Sequence, residues 1–129
     1  MTPGSEMRSV LGRVRGLGSA KEGVAHWWAQ RLTAVALVPL CLWFVASVIG
    51  LIGAPYPVFV AWARNPIDAV LLVLLIVATF HHAQLGLQVV IEDYVHHEPT
   101  KLASLLLIKG AALFLGLVSL CAVVRLAFG

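Results

Sequence analysis

Three long apolar stretches dominate the chain, at residues 33–52, 67–91 and 102–128, and each has the roughly 20 residues that a helix needs to cross a bilayer. Between them lie short connectors with turn residues. The first is Gly53-Ala54-Pro55-Tyr56-Pro57 leading to Asn65-Pro66, and the second runs from Glu92 to Lys101 with Pro99 before the third helix. The pattern predicts an all-α integral membrane protein with three transmembrane helices. Pro39 falls inside the first helix, where it frees a carbonyl and is expected to kink the helix against its neighbours. Lys109 lies within the third and is expected to snorkel toward the headgroups.

Composition agrees with that reading: of 129 residues 60% are hydrophobic and 12% charged, against roughly 25% charged in soluble domains. The division expected is a basic N-terminal segment, residues 1–32, followed by a membrane anchor, residues 33–129, with no room for a soluble domain. Nine Lys and Arg against six Asp and Glu give a net charge of +3, and five of the nine basic residues fall in the first 31 positions. A basic segment beside apolar helices is a topology signal rather than a nucleic-acid arm, so no nucleic-acid partner is expected. The Lys/Arg bias puts the N-terminus in the cytoplasm and the C-terminus outside. Trp27, Trp28 and Trp62 stand where an aromatic belt would. A full-length apolar run after a long basic segment reads as a retained helix rather than a cleaved signal, and a bacterial inner membrane is the simplest location. Cys41 and Cys121, both in apolar runs, read as packing residues rather than a disulfide.

Polar residues at membrane depth are costly and so are usually functional or paired. His81 and His82 lie in the second helix. A neutral imidazole inside a helix bundle is a ready axial ligand for haem iron; it also serves as a hydrogen-bond partner between helices, and the pair alone fits both readings. At 100° per residue His82 shares its stripe with Ala78 and Gly86, a face of little bulk on which a flat macrocycle could lie, although small residues at that spacing also mark ordinary close packing. His81 shares its stripe with Gln84 and Gln88, which resembles a hydrogen-bonding seam against another helix. His82 is therefore the better ligand candidate.

Asp93 and Tyr94 follow His82 by eleven and twelve residues, or roughly 16–18 Å of helix, at the membrane boundary. A phenol and a carboxylate there suit a quinone carbonyl and its protons, and equally suit a belt residue and a solvated helix end. His96 and His97 read as surface residues. Only the second helix has histidine at depth, and its two imidazoles point about 100° apart, so a six-coordinate haem would take its second ligand from another polypeptide. Arg31, at the start of the first helix, then suits haem propionates, or simply sets topology.

The stretch from His82 through Gly86 to Asp93-Tyr94, with Gln30-Arg31-Leu32-Thr33-Ala34 upstream, resembles the signature of the hydrophobic membrane-anchor subunit of succinate dehydrogenase. The resemblance implies an anchor that pairs with a second, cytochrome b-type anchor subunit in one helix bundle, shares a haem b with it, and docks an iron-sulfur and a flavoprotein subunit. It implies His82 as haem axial ligand, Arg31 as propionate partner, Tyr94 as hydrogen-bond donor to ubiquinone and Asp93 beside it in the quinone site. The His-His pair departs from the pattern and leaves His81 a claim to the iron, while His26 stays unassigned. The chain has no nucleotide fingerprint, cysteine cluster or flavin-binding segment, so it is expected to be non-catalytic alone. A fumarate reductase anchor, a haem-free structural anchor and a small transporter subunit are the rival readings, the last lacking any inverted repeat.

Overall fold

The computed structural model describes residues 21–129 and is helical almost throughout, with four helices: α1 (Lys21–Leu51), α2 (Tyr56–Arg64), α3 (Pro66–Tyr94) and α4 (Glu98–Phe128). Three of them are long and apolar enough to span a membrane. At 1.5 Å per residue, the 31 residues of α1 and of α4 extend roughly 46 Å, beyond the ~30 Å hydrocarbon layer. Helix and apolar run are therefore not the same thing here. Helix α1 spans Lys21–Leu51 rather than starting near residue 33, because nothing in residues 21–32 breaks it. Helix α3 continues through Asp93 and Tyr94, and α4 starts at Glu98, so both protrude past the apolar stretches that mark them. Residues 1–20 of the basic segment lie outside the described residues.

The starts and stops follow local chemistry. Gly53, at φ +76°, adopts a left-handed conformation open to glycine at little cost, and it turns the chain after α1. Proline at the first or second position opens α2, α3 and α4, where its missing N–H would have no helical partner anyway. Asn65 caps α3 by accepting from the Ile67 amide at 3.0 Å, and Asp68 adds negative charge to the first turn. The connector before Asn65, read from sequence as a short link marked by turn residues, contains a helix: α2 carries Tyr56, Phe59 and Trp62 on its apolar side. Trp62 stacks on Trp43 of α1, with centroids 5.9 Å apart, and Arg64 Nε donates to the Leu126 carbonyl near the end of α4 at 3.2 Å.

Helix α3 is central, packed against α4 on one side and α1 on the other, with α2 resting on α3 and α4. Small residues permit the close approaches. A Cβ placed on Gly116 of α4 would meet the Phe80 ring of α3 at 3.7 Å, an ordinary contact. Among the described residues the buried apolar core is only Leu40, Ala63, Leu85 and Val123, whereas residues such as Val35 and Leu107 are about 70% exposed. In water that inversion would be untenable. In a bilayer, lipid or a neighbouring subunit covers the outward apolar faces. Cys41 and Cys121 are free, in line with the reading that they form no disulfide, and they lie on the outside of this chain. Lys109 is likewise exposed.

Candidate cofactor site

The polar residues that the sequence singled out are distributed along the α1–α3 pair. His82 is half-buried, and its Nδ1 lies 3.0 Å from Thr33 Oγ1 of α1. The same hydroxyl reaches back to its own helix, 2.7 Å from the Ala29 carbonyl and 3.0 Å from that of Gln30. Its tie to α1 leaves His82 with Nε2 as the ring position for any further ligand. The donor chemistry fits haem iron, which takes a neutral imidazole nitrogen.

The low-bulk face expected beside His82 is partly taken up by α1. One turn beyond His82, a Cβ on Gly86 would lie 3.7 Å from the Gln30 amide nitrogen, so this glycine makes room for a neighbouring helix. His81 is exposed and lines an open apolar groove of about 280 Å³ along α1 and α3, together with Leu32, Ala36 and Ala78. Among the described residues, the seam expected along its stripe is not made to another helix: Gln88 Nε2 donates to Glu92 Oε1 of its own helix at 2.9 Å, in an exposed position.

Facing α3 from α1 is a polar stripe at helical spacing: His26, Gln30 and Thr33. His26 Nε2 and Gln30 Oε1 are buried with no hydrogen-bond partner among the described residues. Burial without a partner costs about 1–3 kcal/mol per group, which a trapped water would relieve. Gln30 and Thr33 stand in the sequence motif, yet sequence alone assigned neither a role. The signal was present in the i, i+4, i+7 spacing, but only a second helix in place shows which face it serves.

Arg31, two residues before Thr33 and so rotated about 200° from it, sits on the far side of α1. Its guanidinium stacks over Trp27, 5.3 Å from the ring centroid, and is exposed. Asp93 and Tyr94 occupy the last turn of α3, roughly 17 Å from His82 along the axis, and Tyr94 is 78% exposed. Within this chain, then, His82 and Thr33 come together, while Arg31 faces outward near their level and Asp93 and Tyr94 face outward at the end of α3. His97 precedes α4 as its N-cap residue, with Nδ1 2.8 Å from Thr100 Oγ1.

Residues 5–120 match the model of the Succinate dehydrogenase/Fumarate reductase transmembrane subunit family. Among curated relatives, the succinate dehydrogenase hydrophobic membrane anchor subunit of Rickettsia bellii is 33% identical over 70% of this chain and 72% of its own length. The succinate dehydrogenase membrane anchor subunit of Reclinomonas americana is 34% identical over 72% and 80%, and the hydrophobic membrane anchor subunit of Paracoccus denitrificans is 34% identical over 68% and 70%. No solved structure matches the chain.

Proposed function

The chain belongs to the succinate dehydrogenase/fumarate reductase transmembrane subunit family, and from that premise we propose that it anchors a succinate:ubiquinone oxidoreductase, holding haem b jointly with a second anchor subunit. The names of its relatives favour succinate oxidation over fumarate reduction as the working direction. The observation that carries the proposal is His82, a half-buried imidazole at membrane depth, held at one ring nitrogen and free to ligate at the other. Haem b, when bound, supplies one-electron transfer.

The chain's own residues position the cofactors. His82 would hold the haem iron through its free ring nitrogen, and because His81 leaves the same helix about 100° away, a second protein ligand would have to come from the partner anchor. Arg31, exposed near the level of Thr33, offers a bidentate partner for a propionate once it leaves Trp27. Tyr94 donates its phenolic hydrogen to a ubiquinone carbonyl, and Asp93 stands beside it to manage protons. Both protrude where the apolar run ends, which suits a site completed by other subunits. The outward apolar faces of the three spans suit the second anchor and lipid. The Lys/Arg bias supports a cytoplasmic N-terminal end in a bacterial inner membrane, and the iron-sulfur and flavoprotein subunits would dock at that end.

The test is the dithionite-reduced minus oxidised absorbance spectrum of the complex purified through this chain, compared with His82→Ala and His81→Ala. Loss of a b-type signal in the His82 variant alone is expected. Loss only in the His81 variant would move the ligand by one residue. A native complex without the signal would leave the anchor role and remove the haem roles of His82 and Arg31.

A further inference from the structure

We infer that Thr33 is a positioning residue for His82: its hydroxyl fixes the imidazole as the Nδ1–H tautomer and leaves the Nε2 lone pair free to ligate. This rests on the reading of His82 as a haem ligand given above. A threonine hydroxyl has a single proton. Thr33 Oγ1 lies 2.7 Å from the Ala29 carbonyl oxygen and 3.0 Å from that of Gln30, and neither of these can donate. Were the hydroxyl proton turned toward His82, Oγ1 would face two carbonyl oxygens at hydrogen-bond distance with no hydrogen between them, a repulsive arrangement. The hydroxyl therefore donates back into α1. Its lone pair is left to face His82 Nδ1 at 3.0 Å, and that contact is favourable only if Nδ1 carries the hydrogen.

Two consequences follow for the ligand. The neutral imidazole then has its lone pair on Nε2, so the tautomer that can ligate is already selected before any cofactor arrives. An Nδ1–H hydrogen bond also makes the ring a stronger donor, as partners of ligating histidines generally do. Since a stronger donor favours ferric over ferrous iron, Thr33 holds the haem reduction potential down. The hydroxyl is itself held by α1, whose Leu40 packs into the small core, so the orientation of His82 depends on the α1–α3 packing.

The experiment uses the whole complex purified through this chain, with Thr33→Val, Thr33→Ala and Thr33→Ser. Co-purification of the other subunits, haem per complex and the haem midpoint potential are measured for each. The serine variant, which keeps the hydroxyl, is expected to match the native complex in all three. The valine and alanine variants are expected to assemble, to bind haem roughly 10–100-fold more weakly, the usual loss when the partner of a ligating histidine is removed, and to titrate at a higher potential. An unchanged affinity and potential in the assembled valine and alanine complexes overturns the inference. So does a serine variant that falls with them, or a failure of both hydroxyl-free variants to assemble, since either would reduce Thr33 to a packing role. Absence of haem from the native complex would instead refute the haem reading of His82, a distinct result visible before any variant is made.

Discussion

Gly86 tests whether the α1–α3 contact governs the site. A methyl group at this position would meet the Gln30 amide nitrogen at 3.7 Å, an ordinary contact, so Gly86→Ala fits without movement. Alanine also gains up to about 1 kcal/mol of helix propensity over glycine. Gly86→Leu is different in kind: three further carbons must enter a space that α1 already occupies. Overpacking of this sort costs about 1–3 kcal/mol. Separation of the helices also stretches the Thr33 to His82 contact, now 3.0 Å, past useful hydrogen-bond length and removes about 1 kcal/mol more. The leucine variant is thus expected to lose roughly 2–4 kcal/mol and the alanine variant to lose nothing. Thermal unfolding of the purified complex measures the first difference. Haem content and midpoint potential measure the second, and the leucine variant is expected to shift as the Thr33→Val variant does. Equal damage from alanine and leucine would refute the packing account and point to a ligand lying directly on Gly86. A leucine variant of native stability and potential would show that α1 and α3 are not held at this distance.

Other residues give separate checks. Arg31→Lys preserves the topology charge but not the bidentate geometry, so it is expected to weaken haem retention as Arg31→Gln does; native haem content in the lysine variant would return Arg31 to a topology role. Tyr94→Phe removes the hydroxyl of a side chain that is 78% exposed in this chain, so assembly and thermal stability should change by less than about 0.5 kcal/mol while the KM for quinone rises. A fall in stability with unchanged quinone kinetics would count against a quinone role. Arg64→Ala breaks the bond from α2 to the Leu126 carbonyl and is expected to lower stability by about 0.5–1 kcal/mol without altering the haem spectrum. An altered spectrum would show that α2 communicates with the far end of the bundle.

The sequence by itself determined the class of this protein and the number of its spans, because a bilayer imposes one demand that can be read without neighbours: about 20 apolar residues in a row. It also determined that His82 was worth attention, since a polar residue inside such a run is costly wherever the chain folds. Helix ends were less legible. Helices α1, α3 and α4 run on through polar turns, where backbone hydrogen bonding continues after hydropathy has stopped, and α2 stayed hidden because nine residues are too few to show a period. At 100° per residue His82 and His81 fall on two faces of α3, but the hydrogen-bonding seam was expected on the His81 face, whereas the bond to another helix is made by His82. That was decided by tertiary structure alone. Laying α1 against α3 places Thr33 on the His82 ring and Gln30 over Gly86, pairs nearly fifty residues or more apart in sequence. A hydrogen bond depends on distances of tenths of an ångström between atoms on different helices. Periodicity along one helix carries no record of them.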